Sequence, residues 1–134
     1  MYSIDKRSQV ITIGGEEHRL ILTTKATMEI TKKYGGLEKM GEKLTTATSM
    51  EETLSEVLWL ITLLANQELM IYNLKNRENP KELLTLEEVE LLTTPLELAE
   101  CKNAIMAAML KGTKRNVESE DDTKNAVTGE SQQK

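Results

Sequence analysis

The stretch SMEETLSEVLWLITLLANQELMIYNLK, residues 49–75, decides the predicted fold. Ser49, followed three residues later by Glu52, has the pattern of a capping box, which begins a helix. Two apolar sets then recur at helical spacing, so the helix is apolar on nearly all sides. The first set is Met50, Leu54, Val57, Leu58, Ile61, Ala65 and Leu69, and the second is Trp59, Leu60, Leu63 and Leu64. Such a helix is central in a domain, with neighbours on several sides.

Two more helix starts follow, nine residues apart. Pro80 first ends the helical pattern, because proline lacks the helical N–H donor. Thr85-Leu86-Glu87-Glu88 and Thr94-Pro95-Leu96-Glu97 are then both capping boxes, and the second has proline at the first helical position, where it is tolerated. We therefore predict a short helix to about residue 93 and a last helix to about residue 111 that ends at Gly112. The two boxes mark a tight corner that positions the last helix.

The segment before the central helix predicts a β-hairpin and two short helices. Residues 8–24 alternate apolar and polar residues on both sides of Gly14-Gly15, which supply the positive φ of a tight turn. A helix follows, with Ala26, Ile30 and Tyr34 on one stripe and Gly35 as a left-handed C-terminal cap. Residues 37–44 predict another short helix. A two-stranded ribbon is marginal alone, so its apolar face must lie on the helices.

The end of the sequence differs in composition. From Thr113 the chain reads TKRNVESEDDTKNAVTGESQQK, with too few apolar residues to offset the entropy of ordering. The predicted fold is therefore mainly α: a small helical domain over residues 1–112, with the N-terminal hairpin packed on it, and a polar disordered tail over residues 113–134.

Composition excludes several classes of function. The 134 residues carry a net charge of −5, which argues against nucleic acid as a partner. Cys101 is the single cysteine, which fits a reducing compartment. The first ten residues lack the apolar run of a secretory signal, and the longest apolar run, residues 57–65, falls well short of the ~20 residues that span a bilayer. We expect a cytoplasmic protein without a membrane partner.

No set of residues predicts catalysis. His18 is the single histidine and is interpreted as a solvated strand residue, and Cys101 as a buried structural thiol. One histidine and one cysteine cannot build a His/Cys zinc site within one chain, and the acidic cluster at residues 120–122 lacks the spacing of a calcium loop. We expect no enzyme, no cofactor and no metal. An enzyme would need a pocket that joins His18 or its neighbours Glu16 and Glu17 to a helix carboxylate with a shifted pKa.

The last helix has an unusual distribution of apolar residues. One stripe consists of Leu98, Cys101, Ile105, Ala108 and Met109, and a second, rotated around the helix, consists of Leu96, Ala99, Met106 and Leu110. A terminal helix of a small domain usually buries one face. Burial of both stripes is the favoured interpretation. The alternative is that one stripe is a docking surface, with the second stripe as the candidate partner-binding residues. The helix does not suit DNA reading, because it begins acidic.

The order of elements resembles a known family. A ribbon, a helix ending in Tyr-Gly, an apolar helix and an acidic corner follow one another as VITIGGEEHRLILTT, KATMEITKKYGGLEKM, LSEVLWLITLLANQE and LLTLEEVELLTTP. This order is similar to that of the small tail assembly chaperones of long-tailed bacteriophages. The resemblance covers residues 10–110, and its matching positions are Gly14-Gly15, Ala26, Ile30, Tyr34-Gly35, Trp59 and Thr85–Glu88.

The resemblance implies a non-enzymatic assembly factor in the cytoplasm of a bacterial host. Such proteins bind the long, apolar tape-measure protein and keep it soluble while the tail tube polymerises, which makes the tail-tube protein a further candidate partner. Many exist in two forms produced by a translational frameshift, and the polar tail suits the shorter form. The alternative is a helical regulatory or antitoxin-like module that binds a host protein. The doubly apolar helix and a free strand edge also favour a homo-oligomer at high concentration.

Overall fold

The computed structural model describes the backbone of residues 8–124 and the side chains of residues 9–109. The predicted class is confirmed, since residues 8–124 form five helices and one antiparallel hairpin. The elements are β1 (Ser8–Ile13), β2 (Glu16–Ile21), α1 (Thr24–Tyr34), α2 (Leu37–Thr46), α3 (Met50–Lys75), α4 (Leu86–Leu92) and α5 (Pro95–Lys124).

The hairpin lies across α3 and α5, with β2 mainly on α3 and β1 on α5. Gly14 and Gly15 form its two-residue turn, with φ values of 60° and 86°. Both values are positive, as a type I′ turn requires, so the predicted role of the glycine pair is confirmed. Ile11 pairs with His18 across the strands, and cross-strand partners share a face. The core face of the ribbon therefore includes Ile11, Ile13, His18 and Leu20, all buried.

Helices α1 and α2 pack on α3 through buried apolar side chains and through polar and aromatic contacts. Gly35 ends α1 in the left-handed conformation with φ 98°, as predicted. The Tyr34 hydroxyl donates to the Glu56 carboxylate, and its ring meets Trp59 edge-on at 6.0 Å. Burial, and then this carboxylate, raise the pKa of Tyr34. These contacts fix the end of α1 on the N-terminal half of the central helix.

The central helix α3 fills the core as predicted. Among its apolar residues Val57, Leu60, Ile61, Leu64 and Ala65 are fully buried. Met50 was predicted on the same stripe and is 72% exposed, because the first residue of the helix lies beyond the reach of its neighbours. An 18-residue stretch of α3 has a mean hydropathy of 1.3, enough by length and composition to cross a membrane, but half of that stretch is buried inside the fold, as in the core helix of a globular domain.

The start of α3 differs from the predicted capping box. The Ser49 hydroxyl accepts from the Glu52 N–H at 3.1 Å, which is the first half of the box. The Glu52 carboxylate instead lies 2.8 Å from Lys43 Nζ at the end of α2. Their hydrogen bond lowers the pKa of Glu52 and raises that of Lys43. The capping position was therefore predicted correctly, and the carboxylate joins two helices.

Two asparagines of α3 hold the connection to α4. The Asn66 side chain donates to the Leu84 carbonyl at 2.9 Å and accepts from the Leu84 N–H at 2.7 Å. Two helical turns further on, Asn73 makes the same two hydrogen bonds with Lys81, at 3.0 and 2.8 Å. Each asparagine amide thus hydrogen-bonds both the backbone N–H and the backbone carbonyl of one residue in the connection. The connection runs back along α3 because of these two pairs of hydrogen bonds.

Both predicted capping boxes of the corner are present. The Thr85 hydroxyl accepts from the Glu88 N–H at 3.1 Å, and the Glu88 carboxylate accepts from the Thr85 N–H at 2.8 Å. Thr94 and Glu97 make the equivalent pair at 3.2 and 2.9 Å. Two residues, 93 and 94, separate α4 from α5. The predicted corner is confirmed.

The predicted end of the last helix is wrong. The backbone of α5 continues through Gly112 to Lys124. Glycine in a helix costs roughly 1 kcal/mol relative to alanine, which weakens a helix without ending it; Gly41 lies inside α2 in the same way. Residues 125–134 of the predicted tail are outside the described residues, as are the side chains of the acidic cluster at 120–122. The division into a domain and a tail stays a prediction.

Candidate partner-binding surface

The first apolar stripe of α5 forms part of the core. Leu98, Cys101, Ile105, Ala108 and Met109 are all buried, against α3 and the hairpin. Burial raises the pKa of the Cys101 thiol, and the carboxylates of Glu97 and Glu100 raise it further. A raised pKa keeps the sulfur protonated and unreactive. The prediction of a buried thiol is confirmed.

The second stripe of α5 is open to solvent, so the favoured interpretation that both stripes are buried is wrong. Leu96 is 71% exposed, Ala99 is exposed and Met106 is 37% exposed. The exposure decreases along the helix because α2 approaches it: Met106 Cε lies 3.7 Å from the position that a Cβ on Gly41 would take. The side chain of Leu110 is outside the described residues. The open end of the stripe is therefore the beginning of α5.

The corner before α5 exposes more leucines. Helix α4 has seven residues and buries Val89 completely, whereas Leu91 is 75% and Leu92 50% exposed. Leu92 still contacts the hairpin turn, since a Cβ on Gly14 would lie 3.2 Å from its methyl groups. We call Leu86, Leu91, Leu92 and Leu96 the corner leucines. Sequence reasoning missed the first three, although a two-turn helix with leucine on several faces cannot bury them all against one neighbour.

The corner is also acidic. Residues 82–101 contain six glutamates and neither lysine nor arginine. These glutamates are exposed, and two of them complete the capping boxes. Apolar side chains and negative charges therefore share one surface. Such a surface can cover an apolar partner and attract basic groups beside it.

A groove of about 470 Å³ separates the beginning of α3 from the corner. We call it the corner groove. Its size is within the range of roughly 300–1,000 Å³ that binding pockets occupy. One side is contributed by α3 and the other by the end of α4 and the beginning of α5. The lining residues are Met50, Glu51, Leu54, Ser55, Leu58, Glu90, Thr93, Thr94, Pro95 and Leu98.

A second cleft, of about 440 Å³, lies between the hairpin turn, α3 and the connection to α4. His18 lines it and is 9% exposed, so the interpretation of a solvated histidine is wrong. The register explains this, because His18 is two residues before the buried Leu20 on the core face of β2. Counting back by two from Leu20 along the sequence would have found it.

This cleft meets the first condition of the enzyme hypothesis, since it joins Glu16, Glu17 and His18 to the helix carboxylate of Glu68. Glu68 is, however, already engaged. It accepts from the backbone N–H of Arg19 at 3.0 Å and lies 4.0 Å from the guanidinium Nε of the same residue. That pair holds β2 on α3. Among residues 9–109, no group of three histidine, cysteine or acidic side chains is placed to hold a metal ion.

Comparisons with known proteins add no relative. The sequence matches no model of a known protein family and no curated protein, and the structure matches no solved structure. The candidate surface therefore rests on the geometry of the corner and of α5.

Proposed function

We propose that this protein is a phage tail assembly chaperone that binds the tape-measure protein and keeps it soluble while the tail tube is assembled. The observation that carries the proposal is the exposure of Leu91 and Leu96 at 75% and 71% on helices whose starts are fixed by complete capping boxes. Apolar side chains held rigidly in water are a feature of binding surfaces, because the ordering cost is already met before the partner arrives.

The composition of the corner suits a protective role. Burying a leucine contributes about 1.5–3 kcal/mol, so a few of the corner leucines are enough for a weak, reversible contact at each site of a long partner. The glutamates around them remain in water and keep the complex charged. A carrier with this surface shields an apolar segment and stays soluble.

The resemblance in element order supports the same function. The hairpin with its glycine turn, the Tyr34-Gly35 helix end, the central helix and the corner follow one another in the order on which the resemblance to the chaperones rests. We infer no catalytic step. The tail-tube protein and a second copy of the chain are further candidate partners, and the proposed site of action is the cytoplasm of the bacterial host.

The test is co-expression with the tape-measure protein that this proposal predicts to be encoded beside this gene. We expect its soluble fraction to rise with the wild-type chain and to fall back when Leu91 and Leu96 are both changed to aspartate. The matched control changes Met28 and Leu74 to aspartate, since these residues are 57% and 65% exposed on α1 and α3. The control adds the same charge away from the corner and should keep the wild-type effect.

Two results would contradict the proposal. Equal solubility of the tape-measure protein with and without this chain would exclude the chaperone role. A gene position beside a toxin or a promoter, together with tight binding of one host protein, would instead support the regulatory or antitoxin-like alternative.

A further inference from the structure

We infer that the corner groove seats one amphipathic helix of the partner, with its apolar side chains inserted and lysine or arginine residues on both flanks. This inference rests on the proposed function and adds a second contact site beside Leu91 and Leu96, neither of which lines the groove, together with the chemistry of the segment that it binds. It rests on the lining of the groove, on the charge of its two rims and on the helix starts beside it, whose backbone groups are already capped.

The floor of the groove is apolar and comes from two helices. Leu58 and Leu98 are 8% and 6% exposed, so they form a fixed base, and the partly buried Leu54 extends it along α3. Met50, 72% exposed, stands at the open end. Methionine adapts its shape to different partners, which suits the edge of a site that receives varied apolar side chains.

The two rims carry negative charges that nothing in the described part of the chain neutralises. Glu51 lies on the α3 side and Glu90 on the α4 side, and both are exposed. Within residues 9–109 neither forms an ion pair; the nearby Glu52, by contrast, is paired with Lys43. An apolar floor between two carboxylates selects an apolar stripe flanked by cations, because rim charges favour the complementary partner and repel others.

The backbone around the groove favours a helix over an extended segment. The helix starts at Ser49 and Thr94 are already capped by their own side chains, and in the described part of the chain no strand edge lines the groove. An extended peptide gains its affinity from backbone hydrogen bonds, which this site does not offer. A helix satisfies its own backbone and contributes only side chains. A second copy of this chain is disfavoured as the occupant, because residues 82–101 bring six glutamates and no base to the same surface.

The test measures fluorescence anisotropy of labelled peptides with the full-length protein. The first peptide, about 18 residues long, is an amphipathic helix with a leucine stripe flanked by lysines. The second replaces every lysine by glutamate, and the third has the composition of the first in an order that breaks the stripe. We expect the first to bind, and the other two to bind at least about tenfold more weakly.

Protein variants separate the groove from general attraction of a cationic peptide to an acidic protein. Glu51→Lys with Glu90→Lys should weaken binding of the first peptide by about tenfold or more. The control, Glu42→Lys with Glu78→Lys, changes the net charge equally at exposed positions of α2 and of the connection after α3, and should bind within about twofold of wild type. Circular dichroism checks that the variants are folded. If charge reversal disturbs the fold, Glu51→Gln with Glu90→Gln repeats the test by removing the two charges without reversing them.

The outcomes distinguish this inference from the proposed function. Equal losses in the rim variant and the control would overturn the groove as the site, as would self-association that is abolished by the rim substitutions. If the rim variant still solubilises the tape-measure protein and the Leu91→Asp, Leu96→Asp variant does not, the groove inference fails and the chaperone role stands. If the leucine–lysine peptide binds the groove and the soluble fraction of the tape-measure protein does not change, the chaperone role fails and the groove inference stands.

Discussion

The hairpin and the α4–α5 corner are similar in size and are held in place by different forces. The hairpin buries Ile11, Ile13, Leu20 and Ile21 and has one large exposed apolar residue, Val10, among its described side chains. The corner buries Val89 and exposes four leucines. The hairpin is thus fixed mainly by burial, with the Arg19–Glu68 pair beside it. The corner has one fully buried apolar side chain, Val89, and is otherwise positioned by hydrogen bonds from two asparagines of α3 and from two capping boxes.

This difference explains why the corner can bind a partner. A segment that depends on burial must use its apolar side chains inside the protein, whereas a segment positioned by polar contacts keeps them available. Each hydrogen bond contributes only about 0.5–1.5 kcal/mol, so several are needed. The corner has eight, two from each asparagine and two from each box. Four predictions test this contrast.

The largest effect is expected at Leu20, which is fully buried on the core face of β2. Leu20→Ala should destabilise the protein by about 2–5 kcal/mol, because it removes buried methyl groups and leaves a cavity. Urea unfolding followed by the fluorescence of Trp59, the single tryptophan, measures the change. A loss below about 1 kcal/mol would show that the hairpin is not part of the cooperative core.

Local signals in the sequence were sufficient for the helix starts and the turn. Thr85, Thr94 and Gly14-Gly15 act through bonds and dihedral angles within four residues, so their roles can be read without knowing the rest of the fold. The role of Asn66 could not be read in this way. It bonds to Leu84, eighteen residues away, and nothing in the sequence near either residue indicates that pairing.

The next largest effect is expected at Asn66, which is 8% exposed and bonds both backbone groups of Leu84. Asn66→Ala should cost about 2–3 kcal/mol, since it leaves a part-buried N–H and carbonyl without their partner. Hydrogen exchange should rise more in residues 86–92 than in β2. Asn73→Ala is the matched control: it removes the same two bonds at Lys81 in an exposed setting, where water replaces them at a smaller cost. Equal exchange in both regions would mean that Asn66 does not position the corner in particular.

The exposed stripe of α5 could not be predicted from periodicity. Leu98 and Leu96 belong to stripes of similar apolar character, yet one is buried and the other exposed. Which stripe is covered depends on how far α2, α3 and the hairpin reach around α5, and that is a property of their packing. Met106 shows this directly, because its partial cover comes from the approach of α2 at Gly41.

A smaller effect is expected at the capping box of α4. Thr85→Ala should cost about 1 kcal/mol, because the Glu88 N–H loses its acceptor. Thr85→Ser keeps the hydroxyl and should stay close to wild type. Thermal unfolding by circular dichroism measures both. If the alanine and serine variants are equally stable, the capping box does not contribute to holding the corner. The hydrogen bonds of Asn66 to Leu84 would then position α4 without it.

The smallest effect on stability is expected at the corner leucines themselves. Leu91→Asp should change the free energy of unfolding by no more than about 0.5 kcal/mol. The side chain is 75% exposed in the folded protein, so its replacement removes little buried apolar area. The same substitution at the fully buried Val89, two residues earlier, should be strongly destabilising, since it buries a charge without a partner. The two substitutions therefore compare an exposed side chain with a buried one within the same short helix.

A marked loss of stability with Leu91→Asp would show that this leucine contributes to the fold. The corner would then have less apolar surface available for a partner than its exposure indicates. Unchanged stability with lost solubilisation of the tape-measure protein would assign the leucine to binding alone.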